Sequence, residues 1–169
     1  MVTMNIQRLT KHLLYSHWHV RRVFPPGTMA AIAAAIRNVE QLHGGEIRFA
    51  VESALEPWSV IRGLTPRERA IEVFSKLRVW DTQHNNGVLI FVLLADRAVE
   101  IVADRGIHER EGAATWNAIC RQIEAAFGRA EYQSGVLVGI EAVARTLGRH
   151  FPHQGAHINE LPDEPVVLS

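Results

Sequence analysis

Val88 to Leu94, the run VLIFVLL, is apolar at every position and stands between the amide-glycine break Asn85-Asn86-Gly87 and the polar step Ala95-Asp96-Arg97. A strand sends alternate side chains to opposite faces, so a run with no polar side needs cover on both. That requirement predicts a central strand with helices above and below it. The run is only about half of what a membrane-spanning helix requires. With 169 residues at 47% hydrophobic, the chain can bury one substantial core and hardly two, so one domain is expected.

The other elements arrange themselves around this strand. Ile6, Leu9 and Leu13 recur at helical spacing in a short amphipathic helix, and the sequence PPGT ends that segment. Thr28 can cap a second helix, with Met29, Ile32, Ile36 and Val39 as its apolar stripe. Ile47, Phe49 and Val51 alternate with Glu46, Arg48 and Glu52, the period of a strand with one buried face. Thr65, Pro66 and Glu68 form a capping box that opens a third helix, whose apolar face runs from Ala70 to Trp80. Ala98 to Ala103 alternates again and returns from the central strand as a hairpin. Two more apolar stripes, Ala113 to Phe127 and Val136 to Phe151, predict the last two helices.

This order predicts an α/β fold, a three-layer α/β/α sandwich around a small mixed β-sheet. Three regions follow: an N-terminal amphipathic segment over residues 1–27, the α/β/α domain over 28–152, and a loose, proline-broken tail over 153–169.

Charge and cysteine content narrow the function classes. Basic and acidic residues balance at 18 each, so no overall field draws the chain to nucleic acid, and none is expected as a partner. The N-terminal segment, with Trp18, Arg21 and Arg22 after its helix, could touch a membrane surface, although packing on the domain is the commoner use of such a helix. The start, MVTMNIQRLTKHLLYSHWHVRRVF, has no apolar core of signal-peptide length, and Cys120 is a lone cysteine in an apolar stripe, so a cytoplasmic protein is expected. The histidine clusters HLLYSHWH and HFPHQGAH lack the thiolates or third-element ligands of a zinc site, and Pro152 breaks the register of the second.

The two ends of the hairpin carry the oxygen chemistry. Antiparallel reversal brings Asn85, Asn86 and Gly87 beside Asp104, Arg105 and Gly106, with Asp81 before them and His108, Glu109 and Glu111 after. Carboxylates, amides and turn carbonyls are the hard ligands that calcium and magnesium select. Glu52, Asp96, Arg97 and Glu131 collect at the opposite edge as an alternative site, favoured by analogy with ligands beyond the carboxyl ends of parallel strands. Asn, Asp and Gly are also what any turn uses to satisfy its backbone.

The stretch NNGVLIFVLLADRAVEIVADRGIHE, followed by a helix and AFGRAEYQSGVLVGIEAVARTLGRHFP, resembles the TPM domain family, or TPM phosphatases, and within it the small stand-alone bacterial members. The resemblance covers roughly residues 28 to 152 and rests on Asn86-Gly87-Val88, on the Asp96-Arg97 turn and on Glu131-Tyr132 before the last helix. It implies an α/β/α sandwich that binds calcium or magnesium at one edge of its sheet, with a metal-dependent phosphomonoesterase activity in some members. Many relatives carry Gly-Tyr-Gly-Leu-Glu where this chain has Asp104 to His108, so an imidazole replaces a carboxylate while Asp104 restores one nearby.

Two functions are therefore expected. The first is a hydrolase of small phosphomonoesters, with a divalent ion on Asp104, Asn86 and Asp81 or Glu109, Arg105 on the phosphate and His108 as general acid or base. The second is a non-catalytic module in which the ion stiffens the loops and the surface recruits an unidentified protein or a membrane complex.

Overall fold

The computed structural model describes residues 5–156 and 158–169. Three helices lead in: α1 (Ile6–Leu14), α2 (His17–Val23) and α3 (Pro26–Glu40). Strand β1 (Glu46–Glu52) follows, then α4 (Pro57–Ile61) and α5 (Pro66–Lys76). The hairpin of β2 (Gly87–Leu93) and β3 (Ala98–Ala103) precedes α6 (Arg105–Glu111), α7 (Ala113–Gly128) and α8 (Tyr132–His150), and β4 (Val166–Leu168) ends the chain.

The sheet order is β3-β2-β1-β4, with β1 parallel to both β2 and β4 and with β2 antiparallel to β3. Every residue of β2 is buried, as its two apolar faces demand. Val88, Ile90 and Val92 pack with α2, α3, α7 and α8, while Leu89, Phe91 and Leu93 pack with α4, α5 and Leu161 and Leu168 of the tail. These are the three layers expected, around a mixed sheet. Gly87 marks a close approach: a Cβ there would strike the carbonyl of Val79.

The structure corrects four details. Thr28 does not cap α3; Pro25 holds that position with Pro26 at N1, and the buried Thr28 hydroxyl donates to Gln133 Oε1 at 2.8 Å. Helix α5 stops at Lys76, which leaves Trp80 beyond it and 47% exposed. Strand β1 is buried on both faces, because Glu46, Arg48 and Glu52 are each covered and hydrogen-bonded within the protein. The region expected to be a loose tail does the covering: β4 pairs with Ala50, Val51 and Glu52, and Leu161, Asp163 and Leu168 are buried. Its Pro162 and Glu164 carbonyls accept from the Arg48 guanidinium, a bond that only the folded chain can create.

Candidate functional site

At the edge where β2 begins, Asp104 N donates to Gly87 O at 2.9 Å, so the amide pair and the Asp-Arg-Gly turn lie side by side as the sequence implies. Gly106 lies so close to the carbonyls of His84 and Asn85 that a Cβ would collide with both. Asp104 is the N-cap of α6; its Oδ1 accepts from Arg105 N at 2.8 Å, and its Oδ2 is buried with no hydrogen-bond partner. Asn86 is fully buried; its Nδ2 donates to Gly44 O at 2.8 Å, and its Oδ1 also has no hydrogen-bond partner.

The pleat decides whether these two oxygens meet. Asn86 follows Val88 and Ile90 toward the α3 and α8 side, where Gly44 lies. Asp104 stands opposite Gly87 and shares the face of Val102, which packs on the α5 side. Chain reversal thus joins the two backbones while alternation parts the two side chains. Asp81 is exposed and paired with Arg78 at 2.9 Å, Glu109 and Arg105 are exposed, and His108 is half-buried one turn beyond Arg105. Among the described residues, no three His, Cys, Asp or Glu side chains gather in a form that could hold a metal ion.

At the opposite edge three of the four candidates are bound within the protein. Arg69 grips Glu52 with two bonds of 2.8 Å. Asp96 takes Arg8 at 2.7 and 3.0 Å and His12 Nε2 at 3.0 Å. His12 Nδ1 accepts from Leu55 N at 2.9 Å, which assigns the ring proton to Nε2 and makes it the donor to Asp96. Burial alone would raise the Asp96 pKa, but the bonds from His12 and Arg8 outweigh it and bring the carboxyl down to about 2. Glu131 pairs with Arg129 at 2.8 Å. Arg97 alone faces open space, in a cleft of about 810 Å³ between α2, the start of α3 and the α7–α8 connection.

That cleft is not legible in the sequence, since Tyr15, His19, Arg22 and Thr28 on the N-terminal lead meet Gln133, 105 residues after Thr28, with no shared spacing signal. A second hollow of about 450 Å³ gathers His43, His84, His150 and His153, which as separate stretches carried no ligand pattern. Cys120 is buried, and burial pushes its thiol up to about 12, which excludes it as a nucleophile at neutral pH. No helix among the described residues is long and apolar enough to cross a membrane.

Comparison with known proteins supports the same family as the motifs. The TPM domain family model matches residues 20–146. The NMR structure of BA42 protein from the psychrophilic bacterium Bizionia argentinensis is similar at 30% identity and a TM-score of 0.74, over 84% of this chain and 93% of that one. The N-terminal domain of a P. gingivalis protein shares the fold at 18% identity and a TM-score of 0.59, over 78% of this chain and 83% of that one. No curated protein matches.

Proposed function

The chain belongs to the TPM domain family, and from that premise we propose that it binds a hard divalent cation, calcium or magnesium, where the 82–86 loop meets the start of α6. One observation carries this reading: Asp104 Oδ2 is a buried carboxylate oxygen with no hydrogen-bond partner, beside a turn whose His84 and Asn85 carbonyls press on Gly106. A buried oxygen left without a hydrogen-bond partner is costly, and oxygen donors of this type suit both ions. Asn86, on the other face, holds the start of β2 to Gly44 and supports the loop rather than the ion. With one full charge in the donor set, the affinity belongs at the weak end, about 10⁻⁴ to 10⁻³ M. The ion acts as a clasp between two loops, as a non-catalytic module for a protein partner requires. The lone buried Cys120 suits a cytoplasmic setting.

Phosphomonoester hydrolysis is the second reading, favoured by Arg105 and His108 standing one turn apart on α6 directly after Asp104. A bound divalent ion supplies charge stabilisation and a polarised water. Arg105 binds phosphate oxygens, and His108 moves a proton as general acid or base.

Melting curves with and without 10 mM calcium or magnesium test the clasp. The wild type should gain roughly 1.5–3 kcal/mol, and Asp104→Asn should gain almost nothing. Equal gains in both proteins, or none in either, reject the site. Magnesium-dependent turnover of phenyl phosphate that disappears in His108→Ala selects the hydrolase; binding without turnover selects the module.

A further inference from the structure

The cleft at the opposite edge is built as a ligand pocket, and we propose that it binds a small organic oxyanion, a carboxylate or phosphate carried on an aromatic body. Its volume of about 810 Å³ lies within the range of small-molecule sites, about 300–1,000 Å³. Tyr15 and His19, stacked at 4.6 Å, line it from the α1–α2 side, and Phe127 and Tyr132, 5.0 Å apart, line it from the α7–α8 side. Val92 and Leu94 line it where β2 ends. A flat apolar body gains most between such walls.

The charges in the lining select an anion. Arg22 and Arg97 both line the cleft, and neither forms an ion pair with a carboxylate among the described residues. Arg22 lies over the Trp18 ring at 5.4 Å, which orients it without neutralising it. The acids that could cancel this field are engaged elsewhere: Asp96, next to Arg97, by Arg8 and His12, and Glu131 by Arg129. Glu124 is the one carboxylate of the lining; its Oε1 accepts from Val99 N at 2.9 Å, its charge remains, and the two guanidiniums outnumber it. His19 Nδ1 accepts from Ser16 N at 3.1 Å, so the neutral ring keeps its proton on Nε2 as a further donor.

The backbone is compatible with this role. Arg97 has φ 52° and Ala130 φ 59°, and both line the cleft; the same conformation also occurs at Arg78, outside the cleft. Asn or Gly would hold either turn at less cost than the roughly 1–2 kcal/mol of a left-handed residue with an ordinary side chain. An arginine in that conformation at the mouth of a cationic cleft fits a guanidinium placed for a ligand.

NMR titration of the full chain in EDTA, with phenyl phosphate, benzoate and inorganic phosphate as probes, tests the proposal. Both aromatic anions should shift resonances of Ala130, Tyr132 and their neighbours, and inorganic phosphate should bind at least about tenfold more weakly. Arg97→Gln and Arg22→Gln should each weaken the aromatic anions by about tenfold or more without lowering the melting temperature, because both side chains are exposed. No shifts up to 10 mM would overturn the proposal, as would shifts unchanged in both variants or inorganic phosphate binding as tightly as phenyl phosphate. EDTA separates this site from the cation clasp, so either can fail while the other stands.

Discussion

Arg69→Met is expected to cost about 3–5 kcal/mol of stability at pH 7, the usual penalty for stranding a buried ionic partner. Glu52 is 3% exposed at the end of β1, and both its oxygens are held by Arg69. Methionine keeps the length and apolar stem of arginine but leaves Glu52 charged and uncompensated beneath α5. The second substitution identifies the cause. In Glu52→Leu with Arg69→Met no buried charge remains, because Glu72, the other partner of Arg69, is exposed, and stability should return to within about 1 kcal/mol of the wild type, since replacing a whole buried pair by apolar groups is often neutral. Urea unfolding of the three proteins measures this. A single variant as stable as the wild type would show that Glu52 reaches water, and would restore it as a ligand candidate.

The same pair shows where the sequence could be read and where it could not. The apolar run from Val88 to Leu94 demanded two covered faces, and the Thr65-Pro66-Glu68 box set the start of α5, because both signals are local. The alternation of Glu46, Arg48 and Glu52 with Ile47, Phe49 and Val51 is equally local, yet it implied a solvated face that does not exist. Whether a polar residue meets water depends on what else the chain lays over it. Here α5 brings Arg69 and the tail brings Leu161 and Leu168, partners separated from β1 by many residues. Helix α6 is hidden for a different reason: the seven residues between Asp104 and Gly112 hold too few apolar positions for a stripe, although an Asp cap and a Gly stop are both present.

The candidate site was legible at the level of the backbone and no further. Hairpin geometry correctly set Asn86 and Gly87 beside Asp104. Counting two residues per repeat from Val88 and from Val102 would have sent Asn86 and Asp104 to opposite faces, and that step was available in the sequence. The neutralisation of Asp96 was not available, because Arg8 lies 88 residues away on a helix whose docking rests on a buried histidine. The cleft arises from the same docking: the lead that carries Arg8 and His12 onto the hairpin turn continues into Tyr15, His19 and Arg22, which form one wall.

Raising the pH from 5 to 9 is expected to destabilise the protein, and Glu40→Gln should remove much of that loss. Glu40, Glu46 and Asp163 lie buried together at the end of α3, the start of β1 and the returning tail. Burial, then the neighbouring Glu46, pushes the Glu40 carboxyl up to about 9; burial also pushes Glu46 up to about 7. In the unfolded chain both would titrate near 4.5. Between 4.5 and these raised values the folded state holds protons that the unfolded state has released, so stability falls as pH rises, by up to about 1.4 kcal/mol per pH unit for each proton held. Asp96 acts with the opposite sign: its contribution is present above the ordinary 3.8 and is lost as pH falls toward about 2. Maximum stability therefore belongs near pH 4.5–5. Glutamine imitates the protonated Glu40, since its Oε1 can still accept from Ile47 N as Glu40 Oε1 does at 2.7 Å. Its amide can donate toward Asp163, which faces the cluster together with Arg37, Arg48 and Glu160. At pH 8 the variant should melt several degrees above the wild type, at about 2–4 °C per kcal/mol for a chain of this size; at pH 4.5 the two should coincide. If both lose stability in parallel from pH 5 to 9, Glu40 is already ionised in the folded protein, and the tail covers a charged cluster rather than a protonated one.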